Sequence, residues 1–117
     1  MQFPPIFISQ PPYWLALTAL DIAAISADGV YSRFHINDGS YHLVRSSLAA
    51  SLRDVPQGLF IRINRTYAVN IYYIKKINKD HVEIGKDQIE FTKPYYAKAM
   101  KSLILIGGRQ KIEPADQ

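Results

Sequence analysis

Two arginines, an asparagine and a threonine crowd into one block of this chain, Phe60-Ile61-Arg62-Ile63-Asn64-Arg65-Thr66-Tyr67-Ala68-Val69-Asn70. Residues 60–64 alternate as a strand does, with Ile61 and Ile63 turned inward and Arg62 and Asn64 outward. The strand runs straight into Asn-Arg-Thr and then a short apolar run ending in Asn70. Such a junction projects its side chains from a rigid base, which suits reading a groove. The same arginines have a plainer use as surface partners of Asp54 or Glu90, and the block alone does not choose.

Other chemistries find less support. His35, His42 and His81 belong to no metal-ligand pattern such as H-E-x-x-H. His35 and His42 are expected as cross-strand neighbours, but two imidazoles without a third ligand do not make a zinc site. There is no Cys, which removes disulfides, thiol chemistry and thiolate metal sites together. No Gly-rich phosphate loop follows a strand and opens a helix; Gly107-Gly108 reads as a helix stop. No serine or carboxylate stands out as a nucleophile with its base. The expectation is no enzyme, no catalytic residue, no metal and no cofactor.

The elements that must position the block are mostly strands. Asn37-Asp38-Gly39 separates the alternating runs Tyr31–Ile36 and Tyr41–Val44, and Asp-Gly accepts the positive φ of a tight hairpin. Ser32, Phe34 and Ile36 share one face; Tyr31, Arg33 and His35 share the other. His81–Ile84 and residues 88–91 flank Gly85-Lys86-Asp87 as a second hairpin, with Glu83 and Glu90 facing water. Residues 6–9, 14–18 and 22–25 read as strands buried on at least one face, and 71–78 contains another. Ser46-Ser47 caps a short helix at 48–52. Pro94 takes the first position of a helix running to about 103, with Tyr96, Ala99, Met100 and Leu103 on its apolar stripe. Trp14, Phe34, Phe60, Ile63, Val69, Ile74 and Phe91 are assigned to packing.

At 117 residues the chain is one domain, and 48% apolar with 21% charged residues argues against disorder. The net charge of +4 is regional. Residues 1–59 carry three basic and four acidic side chains; residues 60–101 carry nine and four, a net of +5. A footprint on a phosphate backbone needs such clustering. Lys75, Lys76, Lys79 and Lys86 also read simply as solvated surface. The longest apolar stretch, 13–20, falls short of the about 20 residues of a spanning helix, and no basic residue precedes Arg33 to start a signal peptide. The chain is expected in the cytoplasm.

The 60–70 block closely resembles the signature of the LytTR DNA-binding domain, roughly F-x-R-I-H-R-S-Y-x-V-N. Asp21-Ile22 followed by Ile25-Ser26-Ala27-Asp28-Gly29-Val30-Tyr31 resembles that family's D-I-x-x-I-x-A-x-G-x-Y, and Val44-Arg45-Ser46-Ser47-Leu48 resembles V-R-x-S-L. Phe91-Thr92-Lys93-Pro94-Tyr95 resembles the V-S-R-R-Y before the last helix. The resemblance spans about 5–106, leaving 1–4 as an extension and 107–117 as a tail expected to be disordered. Asn64 stands for the usual His, Thr66 for Ser and Thr92-Lys93 for Ser-Arg, while Pro94 sits where a second basic residue is frequent.

The resemblance implies a mainly β fold of stacked antiparallel sheets with short helices, not a helix-turn-helix. It implies a bacterial transcription regulator whose loops enter successive major grooves of double-stranded DNA at paired repeats. Carried over, the DNA-contacting residues are Tyr31, Ser32 and Arg33; Arg45 of the V-R-x-S-L match; Arg62, Asn64, Arg65 and Thr66; and Thr92, Lys93 and Lys98. Arg65, whose two-donor fork matches guanine O6 and N7, is the expected base reader. Asn64 is open to adenine or phosphate. Ser32, Thr66, Lys93 and Lys98 are expected phosphate clamps. The partners implied besides DNA are a second copy on paired repeats, a membrane-protein antagonist, or a receiver-domain and sensor-kinase system. The rival reading is a protein-interaction module that kept the fold and lost DNA.

Overall fold

The computed structural model describes residues 3–108. Three antiparallel sheets and two short helices make up the fold, so the mainly β architecture is as expected. Strands β1 (Ile6–Gln10) and β2 (Tyr13–Leu17) form a two-stranded sheet. The central sheet is built from β3 (Ile22–Asp28), β4 (Tyr31–Ile36), β5 (Tyr41–Val44), β6 (Phe60–Asn64) and β7 (Tyr67–Asn70), in the order β5-β4-β3-β7-β6. Strands β8 (Ile74–Ile77), β9 (His81–Ile84) and β10 (Asp87–Glu90) form the third sheet in the order β10-β9-β8. Helix α1 is Leu48–Asp54 and helix α2 is Lys93–Lys101.

A core lies on each side of the central sheet. On one side Ile22, Ile25, Phe34 and Ala68 pack with Ile8 and Leu17 of the β1–β2 hairpin and with Leu48 of α1. On the other, Ala24, Ile61, Ile63 and Val69 pack with Val82 and Ile84 of the third sheet, with Phe91 and with Ala99 of α2. Alternation accounts for this division, because adjacent residues such as Ala24 and Ile25 feed opposite cores. Strand β7 was not expected as a strand. Ala68, Val69 and Asn70 are all buried, so it shows no polar alternation.

Local chemistry sets the ends. Ser40 donates its N–H and its hydroxyl to Asp38 Oδ1 at 2.8 and 2.6 Å, closing the β4–β5 turn, where Gly39 has a φ of 93°. Those bonds hold the Asp38 carboxyl below its usual range. Ser47 caps α1, its Oγ accepting the Ala50 N–H at 3.1 Å, as expected. Asn70 is fully buried and knits three segments. Its Nδ2 donates to the carbonyls of Ala19 and Ile22, at 3.2 and 2.9 Å, and its Oδ1 accepts the Tyr72 N–H.

Three details depart from expectation. Lys93 precedes Pro94 in α2, so proline takes the second helical position, and the helix stops at Lys101. Trp14 is not a packing residue. It opposes Ser9 on the outward face of the hairpin and is 69% exposed, because Ile8 and Leu15 occupy the inward face. His35 and His42 lie on adjacent strands but on opposite faces, since His35 is paired with Tyr41 and His42 with Phe34. The tail expected to be disordered lies outside the described residues from 109 onward, as do residues 1–2 of the expected extension. No helix among the described residues is long and apolar enough to cross a membrane.

Candidate nucleic-acid interface

Antiparallel order brings one end of each of the five central strands to the same edge. The carboxyl ends of β3, β5 and β6 meet the amino ends of β4 and β7 there. Tyr31, Arg33, Arg45, Asn64, Arg65 and Thr66 therefore line one end of the sheet. Five strands give four steps of about 4.8 Å, so this row is roughly 19 Å wide. Two backbone hydrogen bonds fix its parts together. Ala27 donates to Thr66 O at 2.9 Å, joining the β6–β7 turn to β3, and Thr92 donates to Ile63 O at 3.0 Å, placing the start of α2 beside the same turn.

The turn itself is braced from within. Asn64 Oδ1 accepts both the N–H and the hydroxyl of Thr66, while its Nδ2 donates to Glu90 O at 2.9 Å. Arg62 donates from Nε to Asn64 O at 3.3 Å and from Nη2 to Arg65 O at 2.5 Å. Its guanidinium lies 5.5 Å from the centre of the Tyr95 ring, a cation–π contact. Arg62 and Asn64 thus brace the turn. Arg65 is exposed, and its side chain has no hydrogen-bond or ion-pair partner among the described residues. The pairing of Arg62 or Arg65 with Asp54 or Glu90 is not seen, since the ion pairs among the described residues are Arg33–Asp28 and Lys79–Asp80.

Beside the turn, Thr92 caps α2 without a side-chain bond to the helix amides, and Lys93 and Lys98 are exposed. Exposed Glu90, whose carbonyl accepts the Asn64 amide, brings a negative charge beside the turn.

At the other side of the row the sequence expectations divide. Tyr31 is exposed and Arg45 lies over its ring at 5.9 Å, so these two form a surface pair. Arg33 is committed to Asp28, and its guanidinium stands 4.4 Å from the Tyr41 ring centre. The Asp28 hydrogen bond holds Arg33 more firmly protonated than usual. Its Nε is shielded from solvent and has no hydrogen-bond partner.

Ser32 fails as a phosphate clamp. It is fully buried, donating its hydroxyl to Ser46 O at 2.7 Å and meeting Ser51 Oγ at 2.9 Å. It shares the inner face with Phe34, as alternation requires.

Ser26 Oγ and His35 Nε2 stand 2.8 Å apart, a spacing suited to a nucleophile and its base. The His35 ring is half-buried and stacked 5.7 Å from Tyr67. Burial, and then the nearby Arg33 charge, push its pKa below the usual value, against a smaller pull from Asp87. No carboxylate hydrogen bond to the ring is present among the described residues, and the stacking on Tyr67 holds the imidazole in place. No group of three metal-ligating side chains occurs among those residues either. The residues missed in the sequence are Tyr95, which underlies Arg62, and Ser51, whose hydroxyl meets that of Ser32. Tyr95 stood in a motif already singled out, whereas Ser51 had no signal beyond its place on α1.

A mainly β module whose strand ends carry an unpaired arginine and whose last helix begins with a lysine is a class of domain distinct from helix-turn-helix proteins. The chain belongs to the LytTr DNA-binding domain family, whose model matches residues 14–104. Among solved structures it is similar to the LytTr DNA-binding domain of a protein from Bacillus cereus described as a methyl-accepting/DNA response regulator. The two share 16% identity with a TM-score of 0.70, over 84% of this chain and 94% of that one. No curated protein matches the sequence.

Proposed function

We propose that this chain is the DNA-binding part of a bacterial transcription regulator and recognises double-stranded DNA by sequence. Family membership supports DNA binding, and the observation that carries the finer reading is Arg65. It is an unpaired cation on a turn held by Arg62, Asn64 and backbone bonds to β3 and α2. A held backbone under a free guanidinium loses little entropy on meeting guanine O6 and N7. A row roughly 19 Å wide spans the about 12 Å major groove and reaches the phosphates beside it. Arg45 with Tyr31 at one side, and Thr66, Thr92, Lys93 and Lys98 at the other, serve as its positioning contacts. Arg33 contributes charge partly offset by Asp28.

The proposed domain is 5–106, acting in the cytoplasm as mainly β, non-enzymatic output of a regulatory system. Paired repeats would seat two copies, and a membrane-protein antagonist or a receiver domain with its sensor kinase would supply the input. The rival, an interaction module without DNA, draws on the exposed aromatics of the β1–β2 hairpin.

Selection of bound sequences from a random duplex pool, followed by binding at two salt concentrations, decides between them. The expected result is an enriched repeat and a log–log salt slope of roughly −0.9 per phosphate neutralised. No enrichment and no salt dependence would leave the rival standing.

A further inference from the structure

A concave surface lies between the two helices. Residues of α1, β6 and α2, with the turn at 55–58, enclose a groove of about 580 Å³ over the outer edge of the central sheet. Small-molecule sites have volumes of about 300–1,000 Å³. Leu52, Phe60 and Tyr95 supply apolar walls, Arg53, Arg62 and Lys98 supply three cations, and no Asp or Glu among the described residues lines the groove. Arg53 and Lys98 have no hydrogen-bond or ion-pair partner among the described residues. Arg62 spends Nε and Nη2 on the β6–β7 turn, and a guanidinium has further N–H donors.

A phosphate backbone needs the cations but has no use for apolar walls inside a concavity. We propose that this groove binds a small amphipathic anion, an aliphatic or aromatic body carrying a carboxylate. The body removes the apolar walls from water, and the carboxylate meets the guanidinium and ammonium groups in charge-assisted hydrogen bonds. Three like charges disfavour a cationic amphiphile, and a neutral one forgoes the charge-assisted bonds.

The test needs no DNA, so its outcome is independent of the DNA reading. The isotope-labelled chain is titrated by NMR with octanoate, 1-octanol and octylammonium. Octanoate should give saturable shifts on the amides of 49–62 and 95–102. Octanol should bind on the order of tenfold more weakly, and octylammonium should give no saturable shifts there. Arg53→Glu combined with Lys98→Glu should weaken octanoate by at least roughly tenfold with the spectrum still dispersed; Arg53→Gln with Lys98→Gln should fall between. Equal binding of octanoate and octanol would overturn the proposal. So would unchanged affinity in both double variants, or shifts centred on Phe7 and Trp14.

Discussion

The side-chain carbonyl of Asn64 accepts two hydrogen bonds from Thr66, at 2.9 Å from the backbone and 3.2 Å from the hydroxyl. With one amide N–H on Glu90 O, Asn64 directs three side-chain hydrogen bonds into the protein. Arg65 lies between these two residues in sequence and takes no part in the bonds.

Asn64→Ala should therefore act on the turn. It is expected to lower unfolding free energy by about 1–2 kcal/mol in urea titrations, because three bonds are lost at a half-buried site. Affinity for the preferred DNA should fall as well. Full stability with altered preference at one base would show that Asn64 reads DNA directly.

Arg65→Ala should show the opposite pattern. The preferred site should lose about 1–3 kcal/mol while random duplex loses much less. Arg65→Lys should recover little, since an ammonium lacks the planar fork. Thermal unfolding should scarcely move, because the side chain is exposed and unpaired. A large loss of melting temperature would assign Arg65 to structure.

Ser32→Ala reaches the interior. Removing the hydroxyl leaves Ser46 O and Ser51 Oγ without this partner, at an expected cost of about 1–3 kcal/mol in denaturant unfolding. The protein that remains folded should bind DNA with the salt slope of the parent. A shallower slope would restore Ser32 to the phosphate contacts.

His35 gives the fold a pH dependence. Its folded pKa is lowered, so the unfolded chain takes up a proton first as pH falls below about 6.5. Its contribution is full at neutral pH and declines from there down to the folded pKa. Chemical denaturation at pH 7.5 and 5.5 should show a loss in the parent that shrinks in His35→Gln. Equal losses would place the dependence on other groups.

Most strands were legible because one face of each is buried against a core and the other is wet. Tyr31–Ile36 and His81–Ile84 follow that rule residue by residue. Strand β7 escaped because burial of Ala68, Val69 and Asn70 erases the alternation. Ser32 was misplaced by resemblance although its own alternation with Phe34 pointed inward. The positions of Arg62, Asn64 and Arg65 at the junction were readable, but their division into braces and a free side chain was not. That division depends on Glu90 and Tyr95, which approach only when β10 and α2 fold back onto β6.

Trp14 is the chain's single tryptophan, and it stands in water on the outer face of β2. The native protein consequently carries its indole fluorophore on the surface rather than in either core. Intrinsic emission is a poor optical record of global unfolding here, since the ring is solvated before and after. It becomes a sensitive reporter of anything that settles on the β1–β2 face, with a blue shift on coverage and protection from soluble quenchers.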